Sequence, residues 1–557
     1  MTFRNTKLFL AVVLLSGLAS LSLPAADRAH GRSMAVTQNG IVATSHTLAS
    51  QAGAQVLAKG GSAVDAAIAA NAVLGLVEPM MCGIGGDLFV IYWEASTGKL
   101  YGLNASGWAP EKLTRKYLLG KDHKKMPSKG IHSATTPGCV RGWEAMHGRF
   151  GKIPWKDLFG ASIHYSGVGF PLTENIAAGW GGGAVTDNEA SKQVFLPDGK
   201  APRVGEMFRN PGLSRAMTLI AGQGADAFYK GEIADAIIRT SRDLGGTMRK
   251  PDLADWQPEW VEPISADYRG WTVYELPPNV QGMAALQILN ILDEFEASPE
   301  GPDSFAELHK KIEATKLAYA DLRTYVADPR FSKVPVAGLL SAKYSALRAS
   351  LVDHAEANCE VEPGAPKASD TTYLSVVDRE GNIASWIQSV SGAWGSGVAV
   401  EGMGFHLQNR GALFTLDADH PNVLEGRKRP FHTIIPGFME KGDQHIGFGI
   451  MGGPNQPQAH VQFVSNIVDY GMNIQAALSA PRYRQSNAAN CEVEAESRVR
   501  RDVMQRLSEA GHRLTLRREY SSSMGRGNAV LHDASSKVNF GASGPRADGE
   551  AIPEPLR

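Results

Sequence analysis

An α+β protein, built as one large layered unit or as two or more domains, is expected from three features of this sequence. Its 557 residues exceed what one small core organises. Alanine-rich helical stretches flank Gly60-Gly61 near the start, and β-branched and aromatic runs such as Thr371-Thr372-Tyr373 with Val376-Val377 alternate with helical patterns further on. The 43% hydrophobic and 20% charged composition is that of an ordinary globular chain. A formal charge of −1, with no basic run interleaved with aromatics, excludes the usual footprint of a nucleic-acid partner.

Residues 1–26 read as an export signal. Arg4 and Lys7 precede an uncharged run from Leu8 to Leu23, and Pro24-Ala25-Ala26 supplies the small residues a signal peptidase prefers before Asp27. The alternative, a membrane anchor, is weakened by Ser16, Gly17, Ser20 and Ser22 within the run. The expected location is therefore periplasmic or secreted, with no stable anchor. Two helices follow, the first ended by Gly60-Gly61 and the second capped by Ser62. Gly83-Ile84-Gly85-Gly86 is no phosphate cradle, because it precedes a strand (Leu88 to Trp93) instead of following one.

A helix is expected from Val140 to Phe150. Tyr268 to Leu276 reads as a strand ended by Pro277-Pro278, and Gly282 to Phe295 as an amphipathic helix. Ser304 to Glu307 is a capping box opening a helix whose apolar positions include Phe305, Leu308, Ile312, Tyr319 and Leu322, stopped by Asp328-Pro329. These elements read as scaffold without chemistry. Residues 354–370, rich in acids, Pro and Gly, read as an exposed linker that cannot order itself.

The linker meets a strand at Asp370/Thr371, and Glu380-Gly381-Asn382 turns that strand back into Ile383 to Ser389. Further strands are expected at Val398 to Leu407 and near Ile446 to Ile450. Gly452-Gly453 then leads into a helix through Gln458 to Tyr470; the two glycines either present backbone N–H groups to a developing oxyanion or only make the turn. Val499, Val503 and Leu507 mark a last helix ended by Gly511.

The junction at Thr371 has a chemical meaning if the chain is cut there. A threonine at a new chain start holds a hydroxyl and a free α-amine together, and the amine can take the hydroxyl proton near neutral pH. Taken alone, the same junction fits a plain linker running into a strand equally well, since Pro-rich linkers before strands are common. Four widely separated cysteines, Cys82, Cys139, Cys359 and Cys491, exclude zinc-finger and CxxC spacings but leave room for one or two structural disulfides after export. The fifteen histidines show no metal-ligand spacing, so no metal and no cofactor are expected.

Asp370-Thr-Thr-Tyr-Leu-Ser-Val-Val-Asp-Arg-Glu-Gly-Asn382 resembles the self-cleavage site of the γ-glutamyltransferase family of N-terminal nucleophile hydrolases. The block from Gly40 to Asp87, with its Met-Met-Cys-Gly-Ile-Gly-Gly-Asp ending, resembles the opening of that family's large subunit. Gly541-Ala-Ser-Gly-Pro-Arg-Ala-Asp-Gly549 resembles its closing signature. The likeness runs from about residue 34 to 553, with the motifs in family order. It implies a four-layer αββα sandwich and cleavage between Asp370 and Thr371 into a large subunit (34–370) and a small catalytic subunit (371–557) that stay together as a heterodimer. It also implies acyl transfer through Thr371, with Ser389 where the family has a supporting second Thr and with Gly452 and Gly453 on the oxyanion-hole positions.

The resemblance departs from the family at the acyl clamp. Ser106 stands where typical members have an Arg for the substrate α-carboxylate, and His432 and Thr433 stand for two serines that share that task; Ser391 is counted with these substrate-binding positions. Arg410 and Leu413 occupy the places of the acidic pair that holds the α-amine, so a carboxylate for a substrate ammonium is missing there. The expected activity is self-processing acyl transfer or hydrolysis of γ-glutamyl amides of glutathione-like substrates. An amidase for an amine-free acyl group, glutaryl or oxamate in type, is the alternative, since Arg410 suits a lone carboxylate. The rival from another class is a periplasmic binding protein that keeps the fold and never cuts itself.

Overall fold

The computed structural model describes residues 31–180, 188–361, 370–485 and 490–556. The expected signal, residues 1–26, and the linker residues 362–369 lie outside them. Two seven-stranded sheets, each antiparallel throughout, face one another. The first runs in the order Ala551–Pro553, Ile41–Ala43, Asp370–Val377, Ile383–Ser391, Asp87–Glu94, Lys99–Ala105, Glu259–Val261. The second runs Ala35–Thr37, Val538–Ser543, Gly527–Asp533, Gln444–Ile450, Gly437–Lys441, Trp271–Glu275, Ile264–Tyr268.

Strand alternation builds three apolar layers from these two sheets. Phe89, Ile91, Tyr373, Val377, Ile383 and Ile387 of the first sheet meet Phe438 and Val530 of the second between the sheets. The alternate residues Leu88, Val90, Leu374, Val376 and Trp386 face outward onto the helices Thr47–Ala58 and Ala63–Val77. On the far side Val273, Met439, Ile446 and Phe448 pack on the helices Gly282–Asp293, Phe305–Tyr325 and Gln456–Val468. This is the four-layer αββα sandwich that the resemblance implies.

Local chemistry accounts for most element ends. Ser62 and Asp65 form a reciprocal capping box at the start of Ala63–Val77. The Asp378 carboxylate accepts from the backbone N–H of Glu380 and Asn382 and so closes the hairpin that follows Thr371. The same side chain accepts from the N–H of Ala63 at 3.1 Å, tying that hairpin to the helix layer. Ser304 caps its helix as expected, but Glu307 turns away from the cap to Lys310, Lys311 and the Ser298 N–H.

Four expectations are corrected. Tyr268 ends one strand and Trp271 begins the next, because Arg269 (φ 53°) and Gly270 (φ 78°) make a tight hairpin turn between them. The helix Gly282–Asp293 is buried on nearly all sides and is not amphipathic, since three further helices pack on it. Residues 398–407 form no strand; a loop turned by Gly402 and Gly404, both at positive φ, leaves a single bridge between Ala399 and His406. The exposed segment at 354–361 is anchored. Ala357 N–H donates to Ala510 O at 2.7 Å, Asn358 N–H donates to Glu313, and Cys359 is disulfide-bonded to Cys491. Its own composition supplies no core, so its order comes from groups elsewhere in the chain.

Candidate active site

The hairpin register decides which side each residue of the Thr371-Thr372 pair faces. Thr372 pairs with Gln388 and points outward, where its hydroxyl donates to Glu78 Oε2 at 2.7 Å and meets Ser45 Oγ at 2.9 Å. Burial pushes the Glu78 carboxyl above its ordinary range, against the opposing pull of Arg526 and the two hydroxyls. Thr371 faces the other sheet, fully buried, with its Oγ1 donating to Ser389 Oγ at 3.4 Å. Ser389 Oγ accepts in turn from the Ser391 N–H at 2.7 Å, and Ser391 pairs with Asp370. Thr371, Ser389 and Ser391 are thus one connected group at one end of the first sheet.

The second sheet brings the glycine turn over this group. Ser375 Oγ donates to Gly447 O, and Tyr373 lies so close to Gly449 that a Cβ there would come within 2.4 Å of its ring. These contacts set the strand that leads into Gly452 (φ 137°) and Gly453 (φ 58°) against the strand that carries Thr371. Among the described residues neither glycine N–H has a protein acceptor. Gln281 clips this turn to the neighbouring segment, its Nε2 donating to Gly453 O at 2.8 Å and to Thr433 O. Backbone N–H groups held this way beside a hydroxyl can stabilise a developing oxyanion.

The expected binding residues gather next to the hydroxyls. Arg410 sits in a short 3-10 turn, Arg410–Leu413, and its side chain is fully buried. Its Nε donates to Asp87 Oδ2 at 3.1 Å and its Nη1 to Thr433 Oγ1 at 2.8 Å. His432 Nε2 lies 2.6 Å from the same Asp87 oxygen. Asp87 is the register partner of Ser389, on the same face of the sheet, and its Oδ1 accepts from the Gly107 N–H at 3.2 Å. Burial lowers His432 to about 4, with Arg410 adding to the effect, so the imidazole is neutral near pH 7. Burial also lowers Arg410, to about 10, leaving it charged. Burial alone would raise Asp87, but His432 and Arg410 outweigh it and hold the carboxyl below its usual range.

Ser106 is also fully buried, with its hydroxyl donating to Asn104 Oδ1 at 2.7 Å. Arg429 Nε reaches its carbonyl at 3.1 Å, and Asn279 bridges Asn104 to Pro430 O. The structure therefore brings every expected site residue to one end of the sheet interface. Asp87, Gln281, Asn279 and Arg429 escaped sequence reading. Only Asp87 carried a signal, as an acid opening a strand directly after two glycines. Those glycines are required by contact: a Cβ at Gly86 would lie 2.1 Å from Ser389 O, and one at Gly85 2.0 Å from His406 O.

Away from this site, His309, Glu313 and His512 place ligand-type atoms within 4.8 Å of one another. They are joined internally, His309 Nδ1 to His512 Nε2 at 2.9 Å and Lys316 Nζ to Glu313 at 2.7 Å, with Lys316 also donating to Asn358 O. Cys82 and Cys139 are buried thiols whose pKa burial pushes up. No helix among the described residues is long and apolar enough to cross a membrane.

Comparison with known proteins finds relatives over nearly the whole chain. The family model described as gamma-glutamyltranspeptidase matches residues 49–554. The chain is 36% identical over 525 residues to the glutathione hydrolase-like YwrD proenzyme of Bacillus subtilis, covering 92% of this chain and 98% of that protein. It is 31% identical over 530 residues to the oxamate amidohydrolase proenzyme of Klebsiella pneumoniae, covering 93% and 98%. Among solved structures, the cephalosporin acylase from Bacillus halodurans superposes with a TM-score of 0.89 at 40% identity, covering 95% of this chain and 98% of that one.

Proposed function

This chain belongs to the gamma-glutamyltranspeptidase family, and on that premise we propose that it is an N-terminal threonine amidohydrolase that releases its own nucleophile by cleavage between Asp370 and Thr371. The observation that carries the proposal is the Thr371 hydroxyl, buried and 3.4 Å from Ser389 Oγ, on a strand packed against the one that leads into the Gly452-Gly453 turn. In the self-cleavage Thr371 Oγ attacks the Asp370 carbonyl; the ester C–O bond forms, the amide C–N bond breaks, and the nitrogen takes the hydroxyl proton. Water then hydrolyses the ester and frees the α-amine of Thr371. In turnover that amine takes the Oγ proton, Oγ attacks the substrate amide, and the proton passes to the leaving amine. The N–H groups of Gly452 and Gly453 receive the oxyanion, and water ends the cycle by hydrolysing the acyl ester.

The acyl group in this reading is γ-glutamyl, taken from glutathione-like amides, with its carboxylate held by Arg410 beside Thr433, Ser391 and Ser106. Hydrolysis is preferred over transfer to an acceptor amine. Leu413, standing where an acid would hold the amine, favours the second reading, an amine-free acyl group, and one relative is named an oxamate amidohydrolase. Cleavage would leave subunits 34–370 and 371–557 interleaved, since strands from both lie side by side in each sheet. Export behind the N-terminal signal belongs to the same proposal.

Intact mass of the wild type beside Thr371→Ala, together with amide hydrolysis by each, tests the reading. Two wild-type fragments, the smaller beginning at Thr371, and an uncut, inactive variant are expected. An uncut wild-type chain in fresh and aged samples would hand the molecule to the binding-protein reading.

A further inference from the structure

The strand Gln444–Ile450 loses one neighbour just before the glycine turn. On one side it pairs with Gly527–Asp533 as far as Ile450 and Gly527, and the Met451 N–H still donates to Arg526 O at 2.9 Å. On the other side its pairing with Gly437–Lys441 stops at Phe448 and Gly437. Because N–H groups alternate along a strand, Met451 facing the first neighbour leaves Ile450 facing the gap left by the second.

Side chains bridge that gap. Gln456 and His460 lie four residues apart on one face of the helix Gln456–Val468, and both reach into it. Gln456 Oε1 accepts from the Ile435 N–H at 2.9 Å, and His460 Nε2 accepts from the Ile450 N–H at 3.1 Å. A backbone N–H can only donate, so Nε2 carries the lone pair and Nδ1 the proton. That Nδ1–H donates at 2.7 Å to Oε1 of Glu275, at the end of the strand Trp271–Glu275. Both side chains are buried. Burial raises the Glu275 carboxyl and lowers His460 to about 3, so the imidazole keeps its lone pair near neutral pH.

The bridge matters because the glycines after it do not orient themselves. Gly452 and Gly453 sit at positive φ, where glycine has wide freedom, so their N–H groups take direction from the flanking contacts. On the far side these are Gln281 Nε2 on Gly453 O and Tyr319 OH on Pro454 O. On the near side they are the Met451 N–H on Arg526 O and the Ile450 N–H on His460.

We propose that His460, with its tautomer fixed by Glu275, is a positioning residue for the oxyanion turn. It stands in for the missing strand and holds the peptide just ahead of Gly452, so its contribution falls on the rate of acyl transfer and not on donor binding. The proposal rests on Thr371 as nucleophile and on the glycine turn as its oxyanion site, and it deepens that reading by naming the pair that aims the turn.

The test is steady-state hydrolysis of whichever of γ-glutamyl and glutaryl p-nitroanilide the wild type turns over faster, each rate divided by the concentration of chains that begin at Thr371. His460→Leu fills the space without an acceptor, and His460→Gln returns an amide oxygen near the place of Nε2. The Leu variant should lose about 30-fold or more in kcat with KM within about threefold of wild type, and the Gln variant should regain most of the loss. Glu275→Met leaves the ring in place but frees its tautomer, and should lower kcat about tenfold, again with little change in KM. Should His460→Leu fail to fold or to cut itself, Glu275→Met and His460→Gln carry the comparison. A kcat within about threefold of wild type in either apolar variant, a loss carried by KM, or a Gln variant as slow as the Leu variant overturns the proposal. A wild type that never cuts itself overturns the nucleophile reading and this proposal with it, whereas an active wild type beside an equally active His460→Leu overturns this proposal alone.

Discussion

Processed enzyme should remain one covalent molecule. Cys359 lies before the proposed cleavage point and Cys491 after it, and the two are joined at a sequence separation of 132. In the uncut chain the bond closes that loop, a restriction worth at most about 5 kcal/mol in the chain-entropy account. Cleavage at Asp370/Thr371 opens the loop, so this contribution disappears and the same bond becomes a link between subunits. The new C-terminal tail, Glu360 to Asp370, then stays within roughly 40 Å of Cys359. Subunit reassociation becomes intramolecular, with an effective concentration on the order of millimolar.

The assay is denaturing electrophoresis or mass spectrometry of processed protein after thiols are blocked. Without reductant a single species of full mass is expected, and with reductant two. Cys491→Ser should give two species in either condition, and its unfolding midpoint should fall on dilution while that of the wild type does not. Wild-type subunits that separate without reductant would refute the reasoning. Cys82 and Cys139 are buried thiols, so they offer no ready alternative pairing.

Two further outcomes concern stability. Gly449→Ala should destabilise the protein by about 1–3 kcal/mol, because its Cβ would meet the Tyr373 ring at 2.4 Å; denaturant titration giving a change under about 0.5 kcal/mol would contradict the close approach of the sheets. Glu307→Gln should lose stability on the order of 3 kcal/mol at pH 7. Burial alone would raise Glu307, but Lys311 and Lys310 bring it down to about 2 from 4.5. A depressed acid contributes fully above its unfolded pKa, so the gap between wild type and variant should stay constant above about pH 4.5 and close as pH falls towards 2. A gap that does not narrow over that range would show that the lysines are not the cause.

What could be read along the chain was local. Ser62 and Asp65 cap their helix through a contact three residues long, and the Glu380-Gly381-Asn382 turn is closed by Asp378, two to four residues away. The wrong strand at 398–407 shows the limit of that reading. Its apolar alternation suits a strand, but Gly402 and Gly404 at positive φ end any ladder. The nucleophile candidate was also legible, because a threonine pair at the junction of a structureless composition and a strand needs no distant partner to be noticed.

Residue types and their order along the chain were enough for the αββα layers and the family, and enough to single out Thr371 and the glycine turn as candidates, since each depends on neighbours in sequence or on motif order. Folding alone brought Asp87 to Arg410 and His432, more than 300 positions away, and joined Cys359 to Cys491 across the proposed cleavage point. The linker composition gave no hint that residues 357–359 are anchored, because the groups that hold them, Glu313, Lys316, Ala510 and Cys491, come from distant segments. Charge balance in a buried cluster is a property of the atoms that end up within hydrogen-bond reach. Chain order leaves those distances open until the two sheets pack.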